Sequence, residues 1–194
     1  FNSLCREKTM NEVIYAKGKL FELVHLPQPD GRVFEVARRA PGVRVIIADK
    51  TNKKVLLTKE YRNELNAWDY RLPGGKVFDT LDEYEAHRQS GNDILEAAKS
   101  KARAEAAEEA GVTISDVELI TKSTLGATVE WDLYIFEARD WHENEEGQAL
   151  EVGEQIETGQ WFSYEEVEEL IVEGAMQEER VALALLRWIK GSEQ

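Results

Sequence analysis

The chain has 194 residues, of which 42% are hydrophobic, and this predicts one folded domain or a main domain with a small appendage. Its 38 acidic and 24 basic residues give a formal charge of −14, which excludes the basic surface typical of nucleic-acid-binding proteins. No stretch is apolar for long enough to cross a membrane, and the single cysteine, Cys5, excludes an internal disulfide. We therefore expect a cytoplasmic location with no nucleic-acid or membrane partner. The first ten residues lack the pattern of a signal peptide.

The first part of the chain is predicted to be a small β unit. Between residues 11 and 39, short runs of alternating apolar residues flank the sequence QPDGR, whose Pro-Asp-Gly is typical of a tight turn. Further strands are expected at 43–49 and 54–62, joined as a hairpin by the polar sequence KTNK. A short extended run then leads into the glycine turn RLPGG at 71–75.

The remainder of the chain mixes helices and strands. A charged segment at 79–93 is followed by a predicted helix at about 94–110 and by strands at 117–123, 131–139 and 159–163. Ser163 and Glu166 have the spacing of a capping box, which begins a helix that Gly174 ends. The last helix, at 178–191, has one apolar face that we expect in the core: Val181, Leu185, Trp188 and Ile189. These elements predict an α+β protein, an α/β/α sandwich with a mixed sheet between helices.

Three glutamates of the helix at 94–110 lie on one face. Glu105, Glu108 and Glu109 have the spacing i, i+3 and i+4, so their carboxylates project together. Converging carboxylates suit Mg²⁺, with Mn²⁺ as an alternative, although a run of alanine and glutamate is equally typical of a solvated helix. The turn at Gly74 and Gly75 favours the metal site, because a glycine backbone can approach a ligand closely.

The turn and the helix together resemble the box of the Nudix hydrolase family, G-x5-E-x7-R-E-U-x-E-E-x-G-U, where U is aliphatic. Gly75 corresponds to the first glycine, and EAAEEAGV at 105–112 matches the second half. The sequences VLLTKEYR, GATVE at 126–130 and the segment 153–174 are similar to those of ADP-ribose and nucleotide-sugar pyrophosphatases of this family. The resemblance covers roughly residues 32–190 and implies a Nudix domain at 42–194 behind an N-terminal β unit at 1–41.

The resemblance implies hydrolysis of the pyrophosphate bond of a nucleoside diphosphate sugar by metal-activated water, with ADP-ribose as the first substrate to test. It assigns Glu105 and Glu109 as metal ligands, Glu108 as an assisting ligand or catalytic group, and the Gly74 carbonyl as a further ligand. The N-terminal unit resembles an appendage that forms a homodimer and closes the nucleotide site.

A glutamate from a late loop supplies the base or another metal ligand in the ADP-ribose pyrophosphatases. The similarity around the sequence EQI assigns this role to Glu154, with Glu151 as the alternative. Both lie in a strongly acidic stretch, which is also typical of a solvated connection.

Two departures from the box concern its middle. In the family box, a glutamate lies six positions after the first glycine, and that position is Leu81 here. Counting eight positions back from Ala104, at the place of the box arginine, gives Glu96 instead. The box therefore carries an insertion of 15 residues. We expect this insertion to be a surface loop or short helix, or a lid that narrows substrate choice. The box arginine is replaced by Ala104, and Lys101 and Arg71 are the candidates for the missing cation. We hypothesise a charge swap in which the cation moves from the helix to Arg71 on the strand before the turn. Without such compensation the chain would be a weakened enzyme or a ligand-binding protein, and a Nudix enzyme for a different nucleotide substrate is a third alternative.

Other candidates for substrate binding have structural alternatives. Arg62 is expected to contact a phosphate or form an ion pair, and Trp68 to stack on a base or pack against the protein. Gly126 and Glu130 belong to the glycine loop after the box, where Glu130 would face the site or flank a strand. The three histidines have no zinc-ligand spacing: His25, His87 and His142.

Overall fold

The computed structural model of the chain describes residues 12–150, 153 and 155–192. Their strands are β1 (Val13–Lys17), β2 (Phe21–Pro27), β3 (Val33–Arg39), β4 (Gly42–Ile46), β5 (Ala48–Asp49), β6 (Lys54–Arg62), β7 (Ala67–Arg71), β8 (Val112–Ser123), β9 (Val129–Glu130), β10 (Leu133–Glu143) and β11 (Ile156–Ser163). Their helices are α1 (Leu81–Ser90), α2 (Ile94–Ala110), α3 (Tyr164–Val172) and α4 (Glu179–Ser192). None of these helices combines the length and the apolar character of a membrane span.

The N-terminal strands form their own sheet, in the order β1-β2-β3-β9. Strands β1, β2 and β3 are antiparallel, and the turn between β2 and β3 is closed by a hydrogen bond from Gln28 N to Arg32 O, with Gly31 at φ 85°. The predicted turn at 28–32 is therefore confirmed. The sheet joins the rest of the protein through β9, which lies parallel to β3.

The strand predicted at 43–49 is divided between two sheets. Strand β4 pairs in parallel with β10 in the sheet β4-β10-β8, whereas β5 pairs antiparallel with β6 in the sheet β11-β6-β5, to which β7 adds on the edge of β6. The predicted hairpin is thus correct only for β5 and β6. Every residue of β4 is buried, as expected for a strand that is covered on both faces and pairs in parallel.

Helices cover both faces of these sheets, which confirms the α+β architecture with an α/β/α sandwich. On one face, three alanines of α2 pack against alternate residues of the strands in a cluster that includes Ala98, Ala102, Ala106, Val43 and Val45. On the other face, α3 and α4 pack against the intervening residues in a cluster that includes Ile46, Leu57, Val167, Leu185 and Ile189. The apolar face predicted for the last helix is buried throughout.

Helix α2 has the predicted bounds because both of its ends are capped locally. Asp93 accepts a hydrogen bond from Leu95 N at the start, and Gly111 adopts a left-handed φ of 65° at the end. A Cβ on Gly111 would lie 2.8 Å from the carbonyl carbon of Gly147, so glycine is required there. The small alanines let α2 lie close to the sheet, and this fixes the height of its glutamates above the strands.

The insertion forms helix α1 rather than a loop. Thr80 caps its start and Gly91 at φ 74° ends it. Its first residue, Leu81, is buried. The helix contacts the N-terminal sheet, because Leu81 N donates to Lys19 O over 3.0 Å and Lys17 Nζ lies 2.5 Å from Asp82 Oδ1. The insertion therefore joins the box to the turn between β1 and β2.

Strands β8 and β10 are longer than predicted, whereas the predicted start and end of α3 are confirmed. Strand β8 begins at Val112 instead of 117 and β10 extends to Glu143, because these two residues pair with each other across the sheet. The capping box of Ser163 and Glu166 is present at the start of α3. Gly174, at φ 75°, follows the end of that helix as predicted.

Candidate active site

Two glutamates of α2 are buried against the glycine turn. Glu105 and Glu109 are only 7% and 8% exposed. Glu109 Oε2 accepts a hydrogen bond of 2.7 Å from Gly74 N. A Cβ added to Gly75 would lie 2.1 Å from Glu105 Oε1, so the turn can hold this carboxylate only if position 75 is glycine. The sequence spacing therefore brings the turn and both carboxylates together; we refer to Glu105 and Glu109 as the carboxylate pair.

The surroundings of Glu109 disfavour its negative charge. Burial and the neighbouring charge of Glu105 raise the pKa of Glu109 to about 8, and Glu60 on β6 adds to the rise. The Gly74 N–H and the Arg44 guanidinium oppose this rise without cancelling it. Two buried carboxylates in this state form a site whose charge favours a bound cation.

Lys101 is the cation that lies beside the carboxylate pair. Its Nζ is 3.0 Å from Glu105 Oε1 and 3.9 Å from Glu108 Oε2. The ion pairs of Arg71 are instead with residues outside the box: its Nη2 lies 2.8 Å from Glu178 Oε2, its Nη1 3.2 Å from Asp69 Oδ2 and its Nε 3.4 Å from Glu60 Oε2. Of the two cations hypothesised to replace the box arginine, only Lys101 thus has an ion pair to a box glutamate.

Arg44 is a residue of the site that the sequence argument missed. It lies in β4 with a side chain only 8% exposed, and its Nη1 donates to the carbonyl oxygen of Gly74. Its Nη2 lies 2.9 Å from Glu178 Oε2. The available signal was an arginine in the middle of the apolar run GVRVII, which would be buried only with a partner. The carbonyl of Gly74, predicted as a metal ligand, therefore already accepts one hydrogen bond and has one lone pair left.

The residues present fit a hard divalent cation that shares its shell with water and substrate. Mg²⁺ is commonly held by one or two carboxylates together with phosphate oxygens, and the carboxylate pair supplies such donors. Glu108 is more peripheral, with a side chain 36% exposed. Within the described ranges, no group of three or more acidic, histidine or cysteine side chains has a metal-binding arrangement. Glu154 and Glu151, predicted as base or further ligand, lie outside the described residues.

The predicted substrate-binding residues lie on β6, β7 and β9 and in the loop before β9. Arg62 pairs with Glu60 at 2.6 Å, and Glu130 accepts a hydrogen bond of 2.6 Å from Arg38 Nε. Trp68 is 42% exposed and lies edge-on to a neighbouring tyrosine ring. Gly126 has a left-handed φ of 86° with open space beside it. Their roles in substrate binding stay predictions.

Among the described residues, Glu96 and the three histidines form no hydrogen bond, ion pair or ring contact with the carboxylate pair. Glu96, the counterpart of the box's other glutamate, is exposed on the first turn of α2 and pairs with Lys99 at 2.7 Å. The histidines have local packing contacts or are exposed: His25 stacks on Tyr15, His87 lies against Phe78, and His142 is exposed on β10.

A family model and a solved structure match this chain. The model of the NUDIX domain matches residues 38–185, which is more than half of the chain. No curated protein matches its sequence significantly. A crystal structure of an ADP compounds hydrolase is similar with a TM-score of 0.66, covering 94% of this chain and 93% of that one at 21% identity. At that identity the likeness establishes the fold.

The chain belongs to the Nudix family, and it is a Nudix hydrolase. Members of this family are pyrophosphohydrolases of small nucleotide substrates and generally use divalent metals.

Proposed function

We propose that this protein hydrolyses the pyrophosphate bond of a nucleoside diphosphate sugar such as ADP-ribose, in a reaction that depends on Mg²⁺. The observation that carries this proposal is the carboxylate pair, Glu105 and Glu109, held against the turn of Gly74 and Gly75. Two buried carboxylates that lie close together are suited to hold the cation that a pyrophosphate substrate needs.

A bound divalent cation would neutralise the pyrophosphate and lower the pKa of the attacking water. The chain's own groups then have distinct tasks. The N–H of Gly74 orients the Glu109 carboxylate, and Lys101 orients that of Glu105. Glu154, or Glu151 in its place, is proposed to accept the proton of the water. The oxygen of water bonds to one phosphorus while that phosphorus releases the bridging oxygen, which yields a nucleoside monophosphate and a sugar phosphate.

The choice of an ADP sugar rests on the surroundings of the pair and on the similar structure. The similar protein is an ADP compounds hydrolase, and its fold is shared along almost the whole of both chains. Arg62 and Trp68 lie on β6 and β7, the strands before the turn, where a guanidinium can bind phosphate and an exposed indole can stack on a base or ribose. Gly126 and Glu130 are proposed to contact the same substrate from the loop before β10.

We also propose a homodimer that forms through the N-terminal β unit, in a cytoplasmic location. The strands of this unit expose six large apolar side chains: Val13, Ile14, Tyr15, Phe21, Val33 and Phe34. Such a patch is typical of an interface. A cavity of about 650 Å³ beside it is lined by β2, β3 and residues 127–128, which supports the idea that this unit closes the nucleotide site.

A substrate panel tests the proposed function. The protein is incubated with ADP-ribose, other nucleotide sugars, dinucleotides and nucleoside triphosphates, with Mg²⁺ or with EDTA, and the products are separated by chromatography. We expect AMP and ribose 5-phosphate from ADP-ribose with Mg²⁺ and no product with EDTA. Turnover of triphosphates in preference to nucleotide sugars would contradict the substrate class, and ligand-dependent thermal stabilisation without any turnover would indicate a binding protein.

Light scattering after size-exclusion chromatography tests the dimer. We expect about twice the chain mass of 22.1 kDa for the wild type and the monomer mass for a double variant, Ile14→Lys with Phe34→Lys. A wild-type monomer at micromolar concentration would contradict the dimer.

A further inference from the structure

The middle carbonyl group of the glycine turn accepts its hydrogen bond from a side chain. The carbonyl groups of Pro73 and Gly75, on either side, each accept a hydrogen bond of 2.9 Å from a backbone N–H of β4. The carbonyl of Gly74 instead accepts from Nη1 of Arg44. The N–H of Gly74 donates to Glu109 Oε2 over 2.7 Å. Arg44 and Glu109 therefore bind the same residue of the turn.

The Arg44 side chain reaches the turn from a fixed position. Its Nε and Nη2 donate to Glu178 Oε2 over 3.2 Å and 2.9 Å, while Nη1 donates to the carbonyls of Gly74 and Val43. The guanidinium group is planar, so fixing two of its nitrogen atoms also fixes the direction in which the third donates. The side chains of Arg44 and Glu178 are only 8% and 16% exposed, so water competes little for these hydrogen bonds. The position of Nη1 therefore depends on Glu178.

The packing of helix α4 fixes Glu178 in turn. Glu178 directly precedes α4, and its carbonyl accepts from Val181 N over 2.8 Å and from Ala182 N over 3.1 Å. Val181 and Ala182 are buried in the core cluster on this face of the sheets. The preceding residue, Gln177, donates from its backbone N to Asp69 Oδ1 over 2.8 Å, which joins the start of the helix to β7. The residue that holds the guanidinium group is thus itself held by the core.

Arg44 acts on the candidate metal site by its charge as well as by its hydrogen bonds. Burial and the charge of Glu105 raise the pKa of Glu109, and the positive charge of Arg44 opposes this rise. A lysine would supply the same charge, but its ammonium group lacks the planar fork that joins Glu178 to Gly74. The substitution Arg44→Lys therefore separates the two effects. It should be silent if only the charge matters, and damaging if the hydrogen bonds position the turn.

We propose that Arg44, anchored by Glu178, is a positioning residue for the metal site: it holds Gly74 where the Gly74 N–H binds the Glu109 carboxylate. Neither Arg44 nor Glu178 belongs to the Nudix box, so this support comes from β4 and from the start of α4. The inference rests on the carboxylate pair being the metal site of the proposed function. It adds the last helix of the chain to the elements on which metal binding depends.

The first experiment examines the turn without metal or substrate. Amide hydrogen exchange is followed by NMR in EDTA, and the exchange rate of Gly74 N–H is divided by that of Ile135 N–H, which is fully buried in the central strand β10 and reports global unfolding. We expect this ratio to rise about tenfold in Arg44→Gln and in Arg44→Lys, and several-fold in Glu178→Gln. A loss of stability alone speeds both amides together, so an unchanged ratio would overturn the proposal.

The second experiment measures metal binding without turnover. Mn²⁺ is titrated into each variant at pH 7.5, and free Mn²⁺ is measured by electron paramagnetic resonance. We expect Arg44→Gln and Arg44→Lys to raise the Kd for Mn²⁺ about tenfold, as the loss of a group that orients a metal ligand commonly does. An Arg44→Lys variant that binds Mn²⁺ as the wild type does would show that only the charge matters, and would overturn the positioning role.

The matched control is Arg139→Gln. Arg139 is also an arginine of a central strand with carboxylate partners, Glu118 and Glu137, and its loss should leave the exchange ratio and the Kd for Mn²⁺ unchanged. A double variant tests the link between Arg44 and Glu178. Arg44→Gln with Glu178→Gln should be no more impaired than Arg44→Gln alone, because both residues act through one contact. Additive losses would contradict the anchoring of Arg44 by Glu178.

Steady-state kinetics distinguish this inference from the proposed function. With ADP-ribose, Arg44→Gln should raise the Mg²⁺ concentration for half-maximal activity about tenfold, while KM for ADP-ribose at saturating Mg²⁺ changes less than about twofold. A higher KM with an unchanged Mg²⁺ requirement would make Arg44 a substrate-binding residue and overturn the proposal. If the wild type hydrolyses no compound, the proposed function fails, while the exchange ratio and the Mn²⁺ titration still decide the role of Arg44.

Discussion

The acidic and the basic residues near the glycine turn differ in how their charges are balanced. In the carboxylate pair, Lys101 lies beside Glu105, and the pKa of Glu109 is raised to about 8. The arginines have a shared acidic partner, because Glu178 pairs with Arg44 at 2.9 Å, with Arg71 at 2.8 Å and with Arg180 at 3.5 Å, and its pKa is lowered. The arginine cluster therefore carries its own counter-charge, whereas the charge of Glu109 is disfavoured until a cation binds.

The largest expected effect comes from removing one member of the carboxylate pair. Glu109→Gln should lower kcat/KM for ADP-ribose by at least about 100-fold, because a proposed metal ligand is lost. The amide oxygen still accepts from Gly74 N, and the side chain is uncharged at every pH, so the melting temperature should not fall. Glu96→Gln, at an exposed glutamate of the same helix, is the control and should keep wild-type activity. Comparable activity in both variants would remove the carboxylate pair from the site.

A smaller effect is expected from filling the gap between turn and helix. Gly75→Ala places a Cβ about 2.1 Å from Glu105 Oε1, so the carboxylate must move. We expect activity to fall about 30-fold and the free energy of unfolding to fall by about 1–3 kcal/mol, the usual cost of overfilling a packed site. Gly191→Ala, in the last helix where a Cβ has open space, provides the comparison. Unchanged kinetics for Gly75→Ala would mean that the position of Glu105 does not matter.

Lys101 and Arg71, the two candidate replacements for the box arginine, should affect different quantities: Lys101 the activity, and Arg71 the stability. Lys101→Met should lower kcat about tenfold while changing the free energy of unfolding by less than about 1 kcal/mol, because its ion pairs are partly exposed. Arg71→Met should instead cost about 1–3 kcal/mol of stability, since it removes charged hydrogen bonds from the buried Asp69 and Glu178. Chemical denaturation and steady-state kinetics on both variants make the distinction. A loss of activity in Arg71→Met without a loss of stability would assign the orienting role to Arg71.

The smallest effect concerns pH. The folded-state pKa of Glu109 is raised, so the folded protein binds more protons than the unfolded chain between about pH 4.5 and 8. Stability in EDTA should therefore fall as pH rises through this window. Mg²⁺ competes with that proton, so it should raise the melting temperature more at pH 8 than at pH 6. In Glu109→Gln, both the fall of stability with pH and the pH dependence of the Mg²⁺ effect should disappear. Differential scanning fluorimetry measures both.

The ends of the helices were predicted correctly because capping residues close to them in the chain determine where they lie. The bounds of α2 follow from its caps, Asp93 and Gly111, and the start of α3 follows from Ser163 and Glu166. The division of 43–49 into β4 and β5 was not predictable in the same way, because it depends on which distant strand each half pairs with. The same is true of the start of β8, whose first pair is with Glu143.

The glutamates of the candidate site were predictable from the sequence, whereas its arginines were not. Helical spacing is enough to place Glu105 beside Glu109, and a glycine turn is enough to bring backbone to them. The role of Arg44 depends on β4 passing beneath the turn, and its pairing with Glu178 depends on the start of α4 lying near β4. Contacts between residues so far apart in the chain follow from tertiary packing, which periodicity does not encode.

Binding of Mn²⁺ to the carboxylate pair is the most direct test of the account. Electron paramagnetic resonance measures free Mn²⁺ during a titration at pH 7.5, and ADP-ribose turnover is measured in the same samples. The account predicts that the wild type binds Mn²⁺ and releases AMP, and that Glu105→Gln with Glu109→Gln loses binding and turnover together. Retention of tight Mn²⁺ binding or of turnover in this double variant would contradict it.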